Sequence, residues 1–245
     1  MRVGTDNTTV RSALLLMCLS APVAGMLLHA TQAPVERLIR ETTVFLDRHP
    51  DSAEGYFTLG RLHGYAFAEV MQAPVCARHD PDAMVEIQDQ SPTGPARESR
   101  ASMRPDSREH FFAALKCYRR AIELDNTEPI YHYNLAWMDQ QGAVFSEELG
   151  RPASRFNDEA LEEYRAAYHL CDPDFGTPFG MPAILKAPIT AEAAVRIVRI
   201  LSDRYGSSDH SAEAAAARAE MASITRDLKT MERKPQPTIA LSCHP

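Results

Sequence analysis

The sequence predicts an all-α protein of about seven helices arranged as antiparallel pairs. Three observations lead there. Residues 114–137 carry an apolar and small-residue face at Ala114, Leu115, Tyr118, Ala121, Ile122 and Leu124, close to the 3.6-residue period of a helix. Asp125, Asn126 and Thr127 break that helix, and Pro129 stands at the first turn of a second one carrying Tyr131, Leu135 and Met138. Finally, there are only 11 glycines and few β-branched runs, and most of the 17 prolines fall between periodic segments rather than within them. No strand pattern competes. Small residues at Ala114, Ala121 and Ala136 let the paired helices approach closely.

The first segment, residues 1–33, has Arg2 and Arg11 beside a polar lead, then an apolar run from Ala13 to Leu19 that continues loosely to Leu28. It is expected to be a signal peptide cut between Ala24 and Ala33, or an uncleaved membrane anchor. Export, to a periplasmic or extracellular location, follows from either. Of five cysteines, four remain after Cys18 is removed, namely Cys76, Cys117, Cys171 and Cys243. An even number permits disulfides, but Cys117 and Cys171 sit on helical segments and are expected to be buried apolar residues.

The helical domain spans residues 34–233. A first helix is expected over residues 35–48, stopped by His49 and Pro50, with Ser52 available to cap the next. The second runs from Ala53 to about Val70 with Tyr56, Leu59, Gly60 and Phe67 on its packing side. Residues 72–106 hold Pro74, Pro81, Pro92, Pro95 and Pro105 among polar residues, and predict a long loop insertion with a short helical turn near residues 83–87. Helices follow over residues 107–124 and 129–141. A loop is expected at residues 142–154, then a helix over 156–171 with Ala160, Leu161, Tyr164 and Ala167 inward. Residues 172–188, with four prolines, predict an irregular connection. Helices over 190–205 and 211–233 complete the domain, and residues 234–245 form a frayed tail.

These helix pairs resemble the tetratricopeptide repeat. The resemblance rests on Ala114, Tyr118 and the run Ala121-Ile122-Glu123-Leu124-Asp125, repeated as Ala160, Leu161, Tyr164, Ala167 and Leu170. It rests also on Tyr56, Leu59 and Gly60, repeated as the run His132-Tyr133-Asn134-Leu135-Ala136. In that family the first-helix leucine precedes the second-helix alanine by about 13 residues. Here the separations are 25, from Leu135 to Ala160, and 55, from Leu59 to Ala114. The excesses of about 12 and about 42 match the two predicted loops. His132 and Asp139 depart from the family pattern, which favours aromatic residues there. The resemblance covers roughly residues 35–173 and implies a short right-handed α-solenoid.

It further implies a protein or peptide partner bound on the concave face. The family's groove offsets fall on Phe57, Arg61, Tyr65, Ile130, Tyr133, Asn134 and Trp137. Aromatic and arginine side chains of this kind dominate interface cores, whereas Trp137 could equally pack inward. A rival reading is an envelope or assembly scaffold that acts through the long loops and last two helices. Chemistry is harder to place. Ser208, Asp209 and His210 have triad residue types but lie at a helix start, and Glu147-Glu148 and Glu162-Glu163 are adjacent carboxylates that diverge on a helix. Cys76 and His79, with Asp80 and Asp82 behind them, provide half of a metal-ligand spacing, which His63 or His110 could extend. No second ligand pair, haem-attachment run or phosphate loop is present, so neither cofactor, resident metal nor enzymatic activity is expected. The net charge of −7 argues against a nucleic-acid partner.

Overall fold

A computed structural model describes residues 31–68, 74–78, 84–87, 105–171, 183–205 and 209–231. Residues 1–30 of the segment expected to be a signal or anchor and the C-terminal tail lie outside these residues, as does most of the interval between 68 and 105. The described part is built from helices: α1 (Val35–Arg48), α2 (Ala53–Phe67), α3 (Pro105–Leu124), α4 (Pro129–Val144), α5 (Ser146–Leu149), α6 (Ala153–Leu170), α7 (Ala183–Arg204) and α8 (Ala212–Met231). No helix among the described residues is long and apolar enough to cross a membrane.

Local chemistry sets the helix ends. The Gly55 N–H donates to Ser52 Oγ at 3.1 Å, which caps α2. Between α3 and α4, the Asp125 carboxylate accepts from the N–H of Thr127 at 3.0 Å and from its hydroxyl at 2.7 Å. This Asx turn ends at Pro129, in the first turn of α4, where a missing N–H costs nothing. Gly150 closes α5 at φ 70°, a left-handed conformation that most side chains resist. The Asp209 carboxylate accepts from the Ser211 N–H and Ser211 Oγ accepts from the Ala214 N–H, so this corner caps α8.

Three expectations need correction. Residues 142–154 are not a loop. α4 continues to Val144, α5 adds a turn and α6 starts at Ala153, because Phe145 and Leu149 are buried and carry the segment into the core. The irregular connection ends earlier than predicted. α7 begins at Ala183 and runs through Pro188, which forfeits one intrahelical bond near the start. Finally, strands occur where none was predicted: β1 (Thr31–Pro34), from the end of the expected signal segment, pairs with β2 (Pro74–Arg78) and β2 with β3 (Glu86–Ile87), both from the insertion, in an antiparallel sheet of that order. Strand β3 occupies the place given to a helical turn. Thr31 pairs with Ala77 and Pro34 with Pro74, and the two prolines end the ladder because neither has an N–H to donate.

The sheet is held by burial rather than by strand propensity. Ala33, Ala77 and Val85 pack with Val35, Leu38, Leu62 and Ala66 in a small core under α1 and α2. The main core joins α3, α4, α6, α7 and α8. Its centre is aromatic: Phe111 lies 5.3 Å from Phe67 and 5.7 Å from Phe156 between ring centroids. Cys117 and Cys171 are both buried, and burial pushes the Cys117 thiol up to about 11, which makes it a poor nucleophile.

α2 packs on α3, α4 on α6, and α7 on α8, while α4 also touches α2, α3 and α7. The result for α4 is enclosure. Every residue from Tyr131 to Asp139 is buried, so this stretch has no solvent face, and only the end of the helix, at Val144, is exposed. Glycines make the close approaches possible. A Cβ on Gly60 would sit 2.7 Å from the Tyr118 ring, and one on Gly142 would sit 2.7 Å from Phe111 and 2.8 Å from Phe156. Both phenylalanines are fully buried and have no room to retreat. Gly142→Ala is therefore expected to lower stability by about 1–2 kcal/mol. Overpacking costs about 1–3 kcal/mol and the alanine helix propensity returns less than about 1 kcal/mol. Urea unfolding followed by circular dichroism measures the difference.

Candidate functional site

The seven groove positions divide into two sets. Phe57, Tyr65 and Ile130 are half-buried. The Phe57 ring lies 4.9 Å from Tyr131, and the Arg61 guanidinium stands 6.0 Å from its centroid. Tyr65 packs against the small core beside the sheet, and Ile130 against the main core. Arg61, Tyr133, Asn134 and Trp137 are buried, at 8%, 1%, 0% and 3% exposure. The Tyr133 ring lies 5.5 Å from Tyr164 on α6, and its hydroxyl donates to Glu192 on α7 at 3.5 Å. Burial, with the Glu192 charge beside it, pushes the Tyr133 phenol up to about 12. Asn134 Nδ2 donates to the Ile130 carbonyl of its own helix at 2.9 Å, so that N–H is directed at the helix backbone. The structure thus brings Phe57 and Arg61 together, and sets Tyr133 and Trp137 in the core shared with α6 and α7.

Around α4 runs a polar seam. His132 takes a position where the repeat pattern favours tryptophan, and it ties three segments together. Its Nδ1 lies 2.7 Å from the Glu163 carboxylate on α6, and its Nε2 lies 3.3 Å from the Asn126 carbonyl in the α3–α4 turn. Gln140 Oε1 accepts from the Tyr164 hydroxyl at 3.1 Å and from Arg196 on α7 at 3.2 Å. Arg165 makes a two-pronged bond to Glu220, at 2.7 and 2.6 Å, that fastens α8 to α6. Between α4, α6 and α7 opens a cleft of about 340 Å³ lined by Gln140, Asn157, Asp158, Asp203 and Arg204, with Arg204 paired to Asp158.

Asp139 is the other departure from the repeat pattern, and its position is the more unusual. It is 1% exposed, and neither carboxylate oxygen has a hydrogen-bond partner among the described residues. Arg151 and Arg119 are near, but both are paired to Glu159. Burial raises the Asp139 carboxyl to about 7, against a smaller downward pull from Arg119. No group of three or more His, Cys, Asp or Glu side chains converges in metal-binding geometry among the described residues. The side chain of Cys76 and the whole of His79, Asp80 and Asp82 lie outside those residues.

The fold and site together define an all-helical core with a polar seam around a largely enclosed central helix. Comparison of the chain with protein-family models, curated proteins and solved structures returns no match. The likeness to tetratricopeptide repeats therefore stands on the residues already named.

The Asp139 environment has a measurable consequence. Its carboxyl rises from 3.8 unfolded to about 7 folded, so the folded state holds the proton more tightly. The stability this group contributes is complete below about pH 4, falls as pH rises through 7, and is lost above it. At about 1.4 kcal/mol per unit, the loss is at most about 4 kcal/mol. Asp139→Asn should accordingly raise the thermal midpoint at pH 8 and leave it little changed at pH 4.5, as measured by thermal unfolding at both pH values.

Proposed function

We propose that the chain is an exported, non-enzymatic helical-repeat protein whose task is to bind a protein or peptide partner. The observation that carries this reading is the order of packing: α2 with α3, α4 with α6 and α7 with α8, each pair joined to the next mainly through α3 on α4 and α6 on α7, and more lightly through α2 on α4 and α4 on α7. A single pair of this length cannot bury its own apolar face, and stacking of neighbours into a short solenoid resolves that need. On this reading the concave surface is framed by Phe57, Tyr65 and Ile130, which remain accessible, while Arg61, Tyr133, Asn134 and Trp137 support it from beneath.

A second reading is favoured by the enclosure of α4. Because its groove positions are largely covered, contacts could instead be made by outward surfaces, as in an assembly scaffold. The outer face of α8 is available: Ala215, Ala219 and Ala222 are exposed, and Arg165 and Tyr168 hold the helix down through Glu220 and Asp227.

Crosslinking from the native compartment, read by mass spectrometry, separates the two. A Phe57→Ser, Ile130→Glu variant is expected to lose the partners captured by the wild type, while an Ala215→Arg, Ala222→Arg variant keeps them. The reverse pattern would assign binding to α8. Export makes a separate prediction. Strand β1 starts at Thr31 and Ala33 is buried in it, so cleavage at the late end of the window would remove a paired strand. N-terminal sequencing of the mature protein should find a start between residues 25 and 31.

A further inference from the structure

We propose that His63 and His110 form a binding site for a borderline divalent metal ion of the zinc, nickel and copper class, placed on the seam between α2 and α3. The two Nδ1 atoms face each other at 2.9 Å, with ring centroids 5.1 Å apart. At this distance one Nδ1 carries the shared proton and the other presents its lone pair, and a shift of that proton to Nε2 would free both. Neutral imidazole is the form that ligates a metal. Partial burial of both rings disfavours the charged form. Burial, with His110 beside it, lowers His63 to about 4, and burial also lowers His110.

Three carboxylates act on the same point. Asp106 and Glu109 on α3 and Glu36 in the first turn of α1 all act electrostatically on His110. They place negative charge beside His110 from two packed elements rather than one. Both histidines are half-buried, so the seam remains open to an ion from solvent.

The spacing suits an empty site. A hydrogen bond between imidazoles has a length near 2.9 Å. Two imidazoles on a tetrahedral zinc, with bonds of about 2.0–2.1 Å, put their nitrogens about 3.4 Å apart. The rings need part only by about 0.5 Å, a small side-chain rotation. In the empty state one ring donates its Nδ1–H to the other. With metal bound, that proton moves to Nε2 of the same ring, which leaves both Nδ1 lone pairs for the ion. No third protein ligand closes the site among the described residues, so water fills the remaining positions and the ion exchanges freely. A bound ion would tie α2 to α3 across the long interval that separates them in sequence.

The test uses the purified protein, stripped with EDTA and titrated with zinc chloride by calorimetry. One zinc per chain is expected. His63→Gln and His110→Gln should each weaken binding by at least about tenfold, the loss seen when even a supporting group of a metal site is removed. A paired Cys76→Ser, His79→Ala variant should bind as the wild type does. Apo thermal midpoints show whether each variant keeps its fold. Mapping of histidine modification by diethylpyrocarbonate on the wild type needs no variant: zinc should protect His63 and His110 ahead of the other histidines. Zinc affinity unchanged in both glutamine variants, no stoichiometric binding, or loss and protection confined to residues 76–79 would each overturn the proposal.

Discussion

The enclosure of α4 is the constraint on which the rest of the structure depends. The Tyr131–Asp139 stretch, with neighbours on every side, cannot send its polar groups to water, and each buried group left unsatisfied costs about 1–3 kcal/mol. The surrounding helices are accordingly arranged to meet them. α6 brings Glu163 to His132 and Tyr164 to Gln140, and α7 brings Glu192 to Tyr133 and Arg196 to Gln140. Asn134 turns back on its own backbone. Asp139 is the one carboxylate on α4 that this arrangement leaves without a hydrogen bond among the described residues. Close packing imposes a second demand, met by Gly60 on α2 and Gly142 on α4 itself, each of which lies under an aromatic ring.

The two cores divide the labour unequally. The main core is broad, aromatic and shared by five long helices. The small core under α1 and α2 is completed by two alanines and a valine from the sheet and its approach. Three short strands would not hold together alone in water. They persist because Ala33, Ala77 and Val85 cover a face of α1 and α2 that would otherwise meet solvent. The His63–His110 contact lies at the α2–α3 seam, with Glu36 at the start of α1 acting on it.

The helices were legible in the sequence because their apolar spacing is regular and their ends carry recognisable chemistry: Ser52, the Asp125 turn, Pro129 and Ser211. The strands were not. T-Q-A-P and P-V-C-A-R lack alternation and hold one β-branched residue each, and they pair because tertiary burial overrides propensity. At residues 142–154 and 183–188 glycine and proline read as breaks, whereas burial of Phe145 and Leu149 carries the first stretch into the core and α7 absorbs Pro188 near its start. For the groove, family offsets placed Tyr133, Asn134 and Trp137 on a surface. A signal against that was present: from Pro129 to Met138 only His132 and Asn134 are strongly polar, a helix without a polar face. The burial of Asp139 had no such signal, since an acid at that spacing reads as a solvated surface residue.

The interval between α2 and α3 also orders events in time. The chain emerges from the ribosome at about 5–20 residues per second. Phe67 and Leu124 are 57 residues apart, so roughly 3–11 s separate the completion of α2 from that of the helix that covers it. Through that interval Leu59, Leu62 and Phe67 have only α1 and an unfinished sheet beside them. The amino-terminal third is therefore synthesised as a sticky, unlatched segment. Its closure waits on the arrival of α3, and any factor that keeps the nascent chain pliable has a window of seconds in which to engage it.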